Sequence, residues 1–182
     1  MRGSHAREAR PDGRVTAWDA AVRLLHGSLA ALVLFDLFYD DGGWLHRGVG
    51  YGAAGVVVAR WVWAAWAGGG AGFAALRPSL KRTVAYLRGG TPRTPGHDPL
   101  GLWMIWLLWI LVLLLGITGW ISRLDAFWGD DGIRDIHSAL AQALLIAVAI
   151  HLSGVAIMGW RWRENLVAAM VTGRKRRVDR SD

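Results

Sequence analysis

The chain has 182 residues, 53% of them hydrophobic, and a positive mean hydropathy, which fits one membrane-embedded domain better than a soluble one. It contains no cysteine, which excludes disulfides, thiolate-bound zinc, iron–sulfur clusters and covalent cofactor attachment through a C-x-x-C-H motif. The net charge of +7 would suit nucleic acid, but the basic residues are sorted along the chain as membrane topology sorts them.

Residues 1–19 open with "MRGSHAREARPDGR", basic and without an apolar core, so this is not a secretory signal peptide but an expected cytoplasmic tail. His5 lies in it and is set aside from the site argument. The first apolar run long enough to cross a bilayer covers Ala20–Tyr39. It carries Arg23, His26 and Asp36. The second covers His46–Trp66, "HRGVGYGAAGVVVARWVWAAW", and includes Arg47 and Arg60. Its Gly50, Gly52 and Gly55 align to G-x-G-x-x-G, yet no strand precedes them, so dinucleotide binding is rejected. Small residues here let a neighbouring helix or a flat ring approach closely.

Next comes "RPSLKRTVAYLRGG". Ser79 can cap a short helix whose Leu80, Val84 and Leu87 oppose Lys81, Arg82 and Arg88, which predicts a helix lying on the membrane surface. Gly96-His97-Asp98-Pro99 then leads into the third run, Leu100–Ile121, which has no ionisable residue. Gly116 and Gly119 are its close-approach positions. The fourth run, Ile136–Trp160, carries His137 and His151. Residues 161–182 form a basic tail. The expectation is an all-α, integral membrane four-helix bundle over residues 20–160, running up-down-up-down between two tails.

Charge orients the bundle. Of 21 Lys and Arg, 18 fall with the two tails, the start of the first span (Arg23), the second span's far end and the segment between spans two and three, where they meet seven acids. The other side has Arg47, Arg123 and Arg134 against seven aspartates, including Asp40, Asp41, Asp125, Asp130, Asp131 and Asp135. Excess Lys and Arg stay inside, so both termini are expected in the cytoplasm and the outer face is net negative. Trp18, Trp44, Trp66, Trp103, Trp120, Trp128 and Trp160 fall near span ends, as aromatic belts do.

Histidines inside apolar spans are costly and mark function. His137 and His151 stand fourteen residues apart, about 21 Å of rise and nearly one helix face. His26 lies toward the inner side and His46 at the outer side. Only His26 with His151 and His46 with His137 match in depth. Two imidazoles facing each other across a bundle suit a haem iron with two axial ligands, stacked here as two haems. Helix-to-helix hydrogen bonding is the plainer reading of each histidine taken alone. Arg23, Arg47 and Arg60 are candidate propionate contacts.

The runs "VTAWDAAVRLLHG", "RGVGYGAAGVVVARWVW", "GHDPLG", "IHSALAQALLIAVAIH" and "ENLVAAMVTGRKRR" together resemble the bacterial cytochrome b-561 family, and more narrowly its hydrogenase-type cytochrome b subunit-like branch. The resemblance covers nearly the whole chain. It implies a four-helix inner-membrane cytochrome holding b haems, exchanging electrons with quinones or redox partners, with His26–His151 and His46–His137 as axial ligands. The family more often reads Gly-His-Asn-Pro where this chain has Gly96-His97-Asp98-Pro99. His97 is first a capping or interfacial group and second a neighbour of quinone.

The expected function is therefore a di-haem b cytochrome of the bacterial inner membrane, with two haem b and quinone as exchangeable partner. It would relay electrons between a periplasmic-side redox partner and the quinone pool. One rival is an enzyme oxidising superoxide or another small donor with quinone as acceptor. The other is a metal-ion transporter using the same histidines.

Overall fold

In the computed structural model, residues 14–16, 19–39, 42–89 and 98–176 are described. All but one of the six α-helices described start at a side-chain oxygen that caps the first turn. Helix α1 (Ala20–Phe38) starts at Asp19, whose carboxylate accepts the Val22 N–H at 2.7 Å. Helix α2 (Trp44–Trp66) starts from Gly43 without a side-chain cap. Ser79 caps the short α3 (Leu80–Leu87), accepting from the Arg82 N–H at 3.5 Å. Asp98 caps α4 (Pro99–Ile121), with Pro99 in the first turn where no N–H is missed. Asp130 caps α5 (Asp131–Arg161) through the Ile133 N–H. Asn165 caps α6 (Leu166–Thr172), which Gly173 ends at φ 75°.

Three helices, α1, α4 and α5, are long and apolar enough to cross a membrane. Helix α2 has the same 23 residues as α4 but is less apolar, because His46, Arg47, Tyr51, Arg60 and its glycines dilute its valines and alanines. The expectation of four spans therefore has direct support from length and apolarity in three. Helix α1 packs on α2, α2 on α4, and α4 on α5, whereas α1 and α5 make no extended contact. The core lies between the long helices and holds Val33, Val57, Trp109, Val112, Leu144 and Ala147. Leu34, Val58, Leu107, Ile117, Ile146 and Ile157 point outward, exposed. Aqueous solvent penalises so much outward apolar surface; hydrocarbon does not.

Two features depart from the sequence expectation. Helix α5 begins five residues before Ile136, since Asp130 supplies a cap there. A ribbon of two three-residue strands, β1 (Arg14–Thr16) and β2 (Arg174–Arg176), is a local addition to an all-helical fold; they pair antiparallel with Val15 opposite Lys175. The ribbon joins the segment before α1 to the segment after α6. Arg23 reinforces that junction, donating from Nη1 to the Val171 carbonyl at 2.7 Å.

The tryptophans divide by position. Trp44, Trp66, Trp103, Trp120, Trp128 and Trp160 are all exposed near helix ends, the arrangement of a membrane-interface belt. Trp18 lies outside the described residues. Trp61, Trp106 and Trp109 turn inward and meet ring to ring at 5.6–6.4 Å.

Candidate functional site

The helix order gathers the notable polar groups at two ends of the bundle. One end, the loop end, collects the last turn of α1, the first turns of α2 and α5, and the last turns of α4. The other, the terminal end, holds the start of α1, the later parts of α2 and α5, and the β1–β2 ribbon.

At the loop end His46 and His137 come together from α2 and α5, with ring centroids 6.2 Å apart and planes at 81°. With metal–nitrogen bonds of about 2 Å each, two imidazoles at this separation could hold one metal between them. The spacing suits a shared metal centre. A direct ring-to-ring contact would give the same figure, so the second partner of each ring matters.

Asp36 of α1 stands against one of these rings. Its Oδ1 lies 2.9 Å from His46 Nδ1, with both side chains about four-fifths buried. The contact has ion-pair distance but lacks hydrogen-bond alignment in this rotamer. A carboxylate beside Nδ1 favours the proton there and leaves the lone pair on Nε2. Gly50 packs beside this contact, where a Cβ would stand in ordinary contact, 3.5 Å from the Asp36 carboxylate.

Thr118 of α4 stands against the other ring. Its Oγ1 donates to the Leu114 carbonyl at 2.9 Å and lies 2.7 Å from His137 Nδ1. A hydroxyl has one proton. With that proton on Leu114, Oγ1 accepts from Nδ1–H, and His137 too carries its lone pair on Nε2. Gly119, the next residue, lets the ring sit close; a Cβ there would meet His137 Cε1 at 3.4 Å. Arg47 stands half-buried in the first turn of α2 beside His46.

At the terminal end His26 of α1 and His151 of α5 lie within electrostatic reach of each other. Their helices make no extended contact with each other. Nearby, buried nitrogens lack acceptors. Arg60 is only 7% exposed, its Nη1 has no hydrogen-bond partner, and its guanidinium lies 5.9 Å from the Trp109 ring centroid. Arg23 Nε and Trp61 Nε1 are likewise buried without acceptors. Asp19 acts on Arg60 electrostatically, but its oxygens are taken by the Val22 N–H and by Trp63 Nε1 at 3.3 Å. A buried guanidinium short of acceptors is costly and suits an anionic group from outside the chain.

Arg23, Arg47 and Arg60 are the anion contacts expected from sequence; Arg23 has one nitrogen committed to Val171 and another without an acceptor. Thr118, Trp61 and Asp19 are additions that sequence reasoning misses. Thr118 offers one signal, as a hydroxyl in an apolar run beside a glycine. His5, His97, Asp40 and Asp41 lie outside the described residues. Among the described residues no group of three or more His, Cys, Asp or Glu forms a cage for a bare metal ion. The histidines come as pairs.

No curated protein matches the chain in sequence. The sequence model of the prokaryotic cytochrome b561 family matches residues 17–173, a stretch that includes both histidine pairs, Asp36, Thr118 and Arg60. With membrane-length helices and paired histidines in that stretch, the chain belongs to the prokaryotic cytochrome b561 family, membrane b-type cytochromes of electron transfer.

Proposed function

We propose that the chain is a di-haem cytochrome of the bacterial inner membrane, relaying electrons between a periplasmic-side redox partner and the quinone pool. In this reading residues 20–160 form four spans, up-down-up-down. Residues 1–19 and 161–182 are cytoplasmic tails, so the loop end is periplasmic and the terminal end cytoplasmic. The lysine and arginine asymmetry supports that orientation.

His46 and His137 would hold one haem, and His26 and His151 the other. When bound, haem supplies one-electron exchange at iron; the chain sets its position, potential and access. The observation that carries the reading is the loop-end pair. The two rings lie 6.2 Å apart, and Asp36 and Thr118 stand beside the Nδ1 atoms of His46 and His137, which would leave Nε2 of each ring to hold the haem iron. At the terminal end, Arg60 Nη1 and Arg23 Nε are buried donors suited to haem carboxylates. Arg47 would serve the loop-end haem in the same way.

The test is a reduced-minus-oxidised spectrum of the purified full-length chain, with haem counted against protein. Two low-spin b haems per chain are expected. A preparation folded in detergent that binds none after haem supplementation would contradict the reading.

A further inference from the structure

The two ligand pairs differ in the buried charge in contact with them, the half-buried Arg47 adjoining His46 in sequence at the loop end. At the loop end the nearest fixed group behind a ligand is a carboxylate, Asp36 at 2.9 Å from His46 Nδ1, with 19% of its side chain exposed. The other loop-end ligand, His137, is backed by the neutral hydroxyl of Thr118. At the terminal end the buried charge is the guanidinium of Arg60, with an unpartnered nitrogen. These charges lie within the bundle, where they act more strongly than in water.

We infer that Asp36 sets the potential of the loop-end haem, holding it below that of the terminal-end haem through its contact with His46. This deepens the di-haem reading above and rests on it. A carboxylate against Nδ1 draws the imidazole proton toward itself, which makes Nε2 the stronger donor. A stronger donor and a nearby negative charge both favour ferric over ferrous iron, so the midpoint falls. Arg60 acts in the opposite sense on the terminal-end haem. An electron at the loop end is therefore held less tightly than one at the terminal end. Asp36 is a positioning residue: it reaches the iron only through His46.

The experiment is a spectroscopic redox titration of the full-length holoprotein and of Asp36→Asn and Asp36→Glu. The two haems are assigned by which signal His26→Ala removes. Asn keeps a group of the same size beside Nδ1 without the charge. Asp36→Asn should ease reduction of the loop-end haem by about tenfold or more in equilibrium constant, about 59 mV for one electron, and leave the other haem unmoved. Asp36→Glu should restore most of the lower value. An unchanged loop-end midpoint in Asp36→Asn overturns the inference. So does a parent protein whose loop-end haem has the higher midpoint, a result that decides the matter even if the Asn variant loses haem. A parent protein with two haems in the wrong order defeats this inference alone; one with no haem defeats the di-haem reading as well.

Discussion

Thr118 Oγ1 lies 2.7 Å from His137 Nδ1 while the same hydroxyl donates to the Leu114 carbonyl one helical turn back. One proton thereby fixes the orientation of a ring on another helix. Thr118→Val keeps the shape and removes the oxygen, leaving His137 Nδ1–H without this acceptor, at a cost of about 1–3 kcal/mol for a buried donor. Losing such a partner typically weakens metal binding by about 10–100-fold. The loop-end haem should therefore be lost first on dilution or mild denaturant, with the terminal-end haem retained. Haem occupancy followed by absorbance checks this; equal loss of both would argue that Thr118 serves only α4.

Gly119 offers a steric test of the same contact. Its missing Cβ would stand 3.4 Å from His137 Cε1, so alanine requires a shift of only tenths of an ångström. Gly119→Leu cannot be accommodated that way and should displace the ring. The expected result is a near-normal spectrum for Gly119→Ala and loss of six-coordinate character at one haem for Gly119→Leu. If both variants match the parent, the ring does not sit against α4.

Arg60 is buried at 7% exposure on α2 with Nη1 unpartnered. If it holds a haem carboxylate, removing its positive charge disfavours the electron-rich ferrous state. Arg60→Gln should lower the midpoint of the terminal-end haem and leave the loop-end one nearly unchanged. A redox titration resolving the two haems reads both. Unmoved potentials would mean that the guanidinium extends along apolar surface instead.

The loop before α5 and the first residue of that helix carry exposed Asp125, Asp130 and Asp131. Asp131 is partly neutralised by Arg134 at 2.6 Å, so Asp125 and Asp130 should matter more. A soluble basic electron carrier should reduce or oxidise the protein faster at low salt, because attraction is screened over about 8–10 Å at ordinary ionic strength. Replacing all three with asparagine should cut that advantage, and the Asp130→Asn change retains a side-chain oxygen to cap α5. Stopped-flow rates across a salt series check it; a flat series in the parent would rule out docking by charge at this loop.

Much of this architecture was legible because helix rise is fixed. Counting residues along apolar runs brings His46 and His137 to one depth, and their rings do lie together. Ser79 was readable as a cap because a short side-chain oxygen before an amphipathic run has few other uses in a helix start. Asp36 was harder, since an aspartate near a span end is as easily solvated as functional; only the fold shows it turned onto His46. Thr118 was hidden for a related reason, because a mid-helix threonine commonly bonds back to its own helix, and this one does that as well. Trp61, Trp106 and Trp109 look no different in composition from the belt tryptophans. Their inward direction depends on how α2 meets α4. The β1–β2 ribbon pairs segments about 160 residues apart, and three basic residues carry no alternation by which to anticipate a strand.

The assignment of one haem to each depth-matched histidine pair is tested most directly by removing one ligand from each pair and recording low-temperature spectra of haem-counted protein. His46→Ala should abolish or make five-coordinate the loop-end haem and leave the other signal intact, and His151→Ala should do the reverse. Two complementary single-haem spectra that sum to the parent are the expected result. Two six-coordinate haems with unchanged spectra in both variants, or loss of the same signal in each, would contradict the pairing.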